Sequence, residues 1–122
     1  MTDNVKPLVW IGGSRKDLSA FPEDVKDVMG YALHQAQAGD KSTAAKPLKG
    51  FGGAGVLEIV DDHDGDTFRA VYTVRFGDSV YVLHAFQKKS KRGAGTPRTE
   101  IETIKSRLKL AEADHRARGE KR

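Results

Sequence analysis

Phe68 to Ser90, FRAVYTVRFGDSVYVLHAFQKKS, is the stretch on which the fold turns. Phe68, Ala70, Tyr72, Val74 and Phe76 alternate with Arg69, Val71, Thr73 and Arg75, a period of two that sends both arginines to one face of a strand. Gly77-Asp78 then supplies a two-residue hairpin turn, with Gly77 able to take a positive φ at the first central position. The second strand runs Val80 to Phe86 and ends in Gln87-Lys88-Lys89. Its alternation groups His84 with Val82, Phe86 and Lys88, and turns Tyr81, Leu83, Ala85 and Gln87 the other way. A sheet face carrying Arg, His and Lys beside aromatic rings suits a polyanion.

Upstream, Val56 to Val60 is a strand, and Asp61 to Asp66 with Gly65 is its acidic turn. Residues 40–55 are poor in large apolar groups and read as a loop. Val25, Val28, Met29, Ala32, Leu33 and Ala36 recur at helical spacing, which leaves Asp27 and His34 on the wet side. Pro22 suits the first position of this helix, Glu23 and Asp24 its positive end, and Gly39 its C-cap. Ser14 to Asp17 is an earlier helix start with Ser14 as N-cap, and residues 7–11, PLVWI, form a short first strand. Downstream, Thr96 caps a last helix with Pro97 at its first position and Ile101, Ile104, Leu108 and Ala111 as its buried stripe. The order predicts an α+β fold, helices packed on one face of an antiparallel sheet. One domain spans 1–122, with a frayed basic tail at 115–122.

A chain of 122 residues can bury a modest core without staples. It has no cysteine, which excludes disulfides, thiolate zinc sites and cysteine nucleophiles. Neither a signal peptide nor a bilayer-spanning segment is legible, so a soluble cytoplasmic protein without a membrane partner is expected. Net charge is +4 and the isoelectric point about 9.4. The surplus lies late, in Lys88, Lys89, Lys91, Arg92 and Arg98 and in Arg116, Arg118, Lys121 and Arg122. Charge alone does not choose among nucleic acid, anionic membrane and an acidic partner.

Other motifs fail on physical grounds. Gly50 to Gly55, GFGGAG, matches GxGxxG by letters, but a strand follows it where pyrophosphate binding needs a helix N-terminus. The Asp61–Asp66 run has its glycine out of place for a calcium loop, and Thr73 stands where a bidentate Glu is required. His34, His63, His84 and His115 are scattered, and no GxSxG marks a nucleophile elbow. No metal or cofactor is expected. His84 is either a hydrogen-bonded strand histidine or a proton donor and acceptor beside the cations. Arg69 is either a phosphate ligand or a cross-strand partner for an acid such as Glu58.

Phe68-Arg69-Ala70-Val71-Tyr72, the hairpin, Tyr81-Val82-Leu83-His84-Ala85-Phe86-Gln87-Lys88-Lys89-Ser90 and Thr96-Pro97-Arg98-Thr99-Glu100-Ile101 together resemble the RelE/ParE toxin superfamily, in its HigB-like, phage-derived branch. Lys46-Pro47-Leu48-Lys49-Gly50 also fits, and the resemblance covers about residues 7–112. It implies a RelE-like curved antiparallel sheet packed against N-terminal helices and a C-terminal helix. It further implies a toxin of a type II toxin–antitoxin system: a metal-independent endoribonuclease that cleaves messenger RNA on the ribosome. Its partner would be a cognate antitoxin, commonly a helix-turn-helix DNA-binding protein. Under this resemblance Arg69 stabilises the phosphate, Lys88 and Lys89 bind phosphate or assist the leaving group, and His84 transfers protons. Lys46, Lys49, Arg75, Lys91, Arg92 and Arg98 would bind RNA, and Phe86 would stack on a base. Val56-Leu57-Glu58-Ile59-Val60 departs from ribosome-dependent members, whose corresponding strand carries lysines. The rival implications are a ParE-like toxin that inhibits a topoisomerase by binding, and a noncatalytic phage accessory or antitoxin-binding module.

Overall fold

The structure, a computed structural model, describes residues 5–52, 55–88 and 96–120. In chain order it contains β1 (Leu8–Trp10), α1 (Ser14–Ser19), α2 (Glu23–Gln37), β2 (Ala45–Pro47), β3 (Val56–His63), β4 (Asp66–Thr73), β5 (Val80–Lys88) and α3 (Arg98–Glu120). The strands form one sheet in the order β1-β5-β4-β3-β2. Its pairs are antiparallel except β1, which lies parallel to β5 with Leu8 opposite Val80. This is the expected α+β class with one parallel edge added.

The β3–β4 hairpin closes through Asp64 and Gly65 alone, at φ of 50° and 84°. Two positive φ values match the right-handed twist of the flanking strands. Asp61, Asp62 and His63, read from sequence as part of the turn, therefore remain in the ladder opposite Phe68, Thr67 and Asp66. β2 falls inside the expected loop. It is a three-residue edge strand ending in proline, too short to show a period.

β4 keeps its predicted alternation but ends at Thr73 rather than Phe76. There the Thr73 hydroxyl donates to the Gly55 carbonyl at 2.9 Å and accepts from the Arg75 N–H at 3.0 Å, drawing the chain out of the ladder. Gly77-Asp78 does form a turn, closed by Ser79 N–H to Phe76 O at 3.0 Å, but Gly77 has no positive φ and the strands do not pair up to it.

A β-bulge at Leu83 has the larger consequence. Val71 pairs with His84 and Tyr72 with Val82, leaving Leu83 as the extra residue. Val82 and Ala85 pack toward one core with Phe68, Ala70 and Tyr72, whereas Tyr81, Leu83 and Phe86 join the other with Val71. The single expected face uniting Val82 with His84 is thus broken, because a bulge shifts the phase by one residue.

Helices cover both faces, correcting the one-sided packing read from the order of elements. α1 and α2 cover the first core through Leu18, Val25, Met29, Ala32 and Leu33. α3 covers the second through Ile104 and Ala111, with Ile101 and Leu108 beside them. The caps are displaced by a residue: Gly13 caps α1, while the Ser14 hydroxyl donates to Val82 O at 3.1 Å. Pro22 is the N-cap of α2, and Gly39, at φ 92°, lies just past the Ala38 C-cap. Pro97 supplies the carbonyl that accepts from Ile101 N–H at 3.0 Å, so it precedes α3 instead of starting it.

α3 continues past Asp114 to Glu120. The Asp114 carboxylate accepts from the Tyr81 hydroxyl at 2.8 Å and from Arg118 Nε at 2.6 Å, and His115 stacks on Phe76 at 5.1 Å. Burial, reinforced by the bond to Asp114, pushes the Tyr81 phenol up to about 12, and burial alone does the same to Tyr72. Below the ordinary phenol value near 10 both states keep these protons, so neither tyrosine makes stability pH-dependent. From there up to about 12 the unfolded chain loses protons that the folded chain holds, so stability falls as pH rises. Urea midpoints at pH 8, 10 and 11 should decline through that window, and Tyr81→Phe should flatten the decline.

Candidate anion-binding basin

Strand register places chemistry in rows on the sheet face beneath α3. Lys46, Glu58, Val71 and His84 lie opposite one another from β2 to β5; Val60, Arg69 and Phe86 form the next row, and Thr67 and Lys88 the one after. Arg69 Nη1 donates diagonally to Glu58 Oε1 at 2.6 Å, with both side chains largely buried. Both readings of Arg69 therefore bear on the same place, since its carboxylate partner helps to form the floor of a cavity.

That cavity, about 580 Å³, opens between three parts of the chain. Lys46 to Gly50 form one wall, Glu58 and Arg69 the floor, and Thr96, Ile101 and Lys105 from the start of α3 the other wall. Lys46, Lys49 and Lys105 are exposed. Four cationic side chains thus face one carboxylate. Two donors on the lining, Arg69 Nε and Thr96 Oγ1, are buried with no hydrogen-bond partner among the described residues. Unsatisfied buried donors are uncommon, and here both border a positively charged hollow that an oxyanion would complement.

His84 lies in a separate tie between β5 and α3. Its Nε2 meets Glu100 Oε1 at 2.5 Å, and its Nδ1 meets Arg107 Nη1 at 3.2 Å. Arginine has donors only, so Nδ1 accepts and the ring proton sits on Nε2, directed at Glu100. The same Arg107 nitrogen donates to the bulged Leu83 carbonyl at 3.1 Å. The structure thus gives His84 the hydrogen-bonded strand role, with both ring nitrogens engaged and none facing the basin.

Phe86 stacks on His84 at 5.0 Å and is 8% exposed, so it is a core ring and not the open base-stacking surface expected of it. Lys88 is equally buried on this face and, like Arg75, has an interaction of its own. Arg75 sits on the exposed β4–β5 connection, outside the basin, and Arg98 is exposed at the first residue of α3, 3.9 Å from Glu102. Lys89, Lys91 and Arg92 lie outside the described residues. Of the residues expected to act, Lys46, Lys49 and Arg69 converge. Sequence reasoning treated Thr96 only as a cap and did not single out Lys105. The one available signal for Lys105 was its place one turn after Ile101, on the edge of the buried stripe.

No metal-ligand cluster of three or more His, Cys, Asp or Glu occurs among the described residues, and no helix among them is long and apolar enough to cross a membrane.

Comparison with known proteins gives one family and one solved structure of note. Residues 16–109 match the profile of the family described as phage derived protein Gp49-like (DUF891). No curated protein matches the chain. The crystal structure of the toxin–antitoxin complex RelBE2 from Mycobacterium tuberculosis contains a similar chain, at 16% identity and a TM-score of 0.46, covering 73% of this chain and 98% of that one.

Proposed function

The chain belongs to the Gp49-like phage-derived family, a RelE/HigB-type toxin family, and from that premise we propose that it is the toxin of a type II toxin–antitoxin pair and cleaves messenger RNA at a phosphate seated in the Arg69 basin. The observation that carries this reading is the convergence of Arg69, Lys46, Lys49 and Lys105 around one cavity floored by a carboxylate. Its chemistry is attack of a ribose 2′-oxygen on the adjacent phosphorus. The O2′–P bond forms as the P–O5′ bond breaks, leaving a 2′,3′-cyclic phosphate and a 5′-hydroxyl.

Negative charge grows on the nonbridging oxygens, where the Arg69 guanidinium stabilises it. Glu58, the carboxylate of the basin floor, takes the 2′-hydroxyl proton, and a lysine ammonium of the wall delivers one to the departing 5′-oxygen. The other lysines hold flanking phosphates. Arg75 and Arg98, both exposed, add cations that RNA phosphates can reach, and Lys89, Lys91 and Arg92 are assigned the same RNA-binding role by their basic side chains in the sequence. His84 acts through position, tying β5 to the helix that carries the wall. A cognate antitoxin, of the helix-turn-helix DNA-binding kind, holds the toxin inactive, and the ribosome presents the message.

The test is to induce the protein in bacteria and map new RNA 5′ ends, with Lys46→Ala/Lys49→Ala/Lys105→Ala as the control. All three lysines are exposed, so the triple variant should fold as the wild type does. New ends within translated messages, lost in the triple variant, are expected, and in-frame periodicity would implicate the ribosome. Growth arrest without such ends would replace this reading with topoisomerase inhibition.

A further inference from the structure

Two donors that line the basin have no hydrogen-bond partner among the described residues. Arg69 spends Nη1 on Glu58 while its Nε, on the same planar guanidinium, is buried without a partner. Thr96 is the second. Its position before Pro97 suits an N-cap, yet Pro97 takes that place and the Thr96 hydroxyl has no partner among the described residues. These atoms come from β4 and from the segment leading into α3, so the fold, not sequence proximity, brings them to one cavity. Leaving a donor buried and unsatisfied costs stability, and that cost is recovered when an acceptor arrives. An anionic acceptor suits both, because Lys46, Lys49 and Lys105 line the same space.

We propose that Thr96 and Arg69 Nε form an oxyanion subsite which seats the phosphate of the RNA substrate, with Thr96 as a binding residue and Lys105 as its cationic cover. This deepens the ribonuclease reading and rests on it for the substrate. The shared chemistry is a tetrahedral phosphate, whether inorganic or part of a nucleic acid strand. Seating an oxygen on the two shielded donors requires a small displacement of the side chains around them.

The test is titration of the full-length protein with inorganic phosphate, followed by ³¹P NMR, and separately with an RNA oligonucleotide blocked by 2′-deoxy substitution at the cleaved position. Thr96→Val keeps the shape and removes only the hydroxyl. Affinity for both probes should fall about tenfold, as for loss of a hydrogen bond to a charged group, and Thr96→Ser should restore it. The urea midpoint of Thr96→Val should be unchanged or higher, since a buried unpartnered hydroxyl is gone. Unchanged affinity for both probes, or a lowered midpoint with a parallel loss of binding, overturns the subsite in favour of a structural threonine. Loss confined to inorganic phosphate overturns the assignment to RNA. Thr96-dependent binding of both probes by a protein that produces no new RNA ends would keep the subsite and remove the nuclease.

Discussion

Arg69→Ala is expected to lower stability by about 3–5 kcal/mol, because it strands the Glu58 carboxylate in a largely buried position. Glu58 is 6% exposed, and Arg69 Nη1 is its hydrogen-bond donor at 2.6 Å. The measurement is the urea unfolding midpoint at neutral pH, compared with the double variant Glu58→Leu/Arg69→Met. Replacing a buried ion pair with apolar groups of similar volume is often neutral or stabilising, so the double variant should regain most of the loss. It should also remain without cleavage activity. A loss under about 1 kcal/mol in Arg69→Ala would place the pair among hydrated surface bridges and remove the dry floor from the basin.

The consequence reaches any toxicity assay. A nontoxic Arg69→Ala strain does not separate lost chemistry from lost protein, because a destabilisation of this size changes cellular abundance. Exposed Lys46, Lys49 and Lys105 do not carry that ambiguity.

How much was legible follows from what each signal measures. The alternation in residues 68–72 and the stripe of Ile101, Ile104, Leu108 and Ala111 were readable because the residues that join one core recur at the period of the element. Leu83 was not, since a bulge inserts one residue into an unbroken apolar run and YVLHAF shows the same hydrophobicity in either phase. That slip moved His84 away from Val82 and put it under α3, where Glu100 and Arg107 hold it. Sequence could pair Arg69 with Glu58 because two neighbouring strands carry opposite charges. It could not place Thr96 or Lys105 in the basin, since their roles depend on the rotation of α3 over the sheet. β1 was readable as a strand, but its parallel pairing with β5 is a long-range choice that no local pattern encodes.

Ile104→Ala should cost about 2–5 kcal/mol, the range for truncating a fully buried aliphatic side chain. Ile104 is 0% exposed, at the centre of the contact between α3 and the sheet with Val71, Leu83 and Phe86. Leu110→Ala, on the same helix but 54% exposed, should change the urea midpoint little. The two variants test whether α3 is held by its apolar stripe. They also separate that stripe from the polar contacts, for His84–Glu100, Arg107–Leu83 and Tyr81–Asp114 persist when Ile104 is shortened. With three polar ties spread along the helix, α3 should stay docked in the folded molecules that remain, and Thr96, Ile101 and Lys105 should still wall the basin. Cleavage per folded molecule should therefore stay near the wild-type value while stability falls. A collapse of activity at conditions where circular dichroism shows the protein fully folded would mean that apolar packing, more than the ties through His84 and Arg107, sets the position of the basin wall.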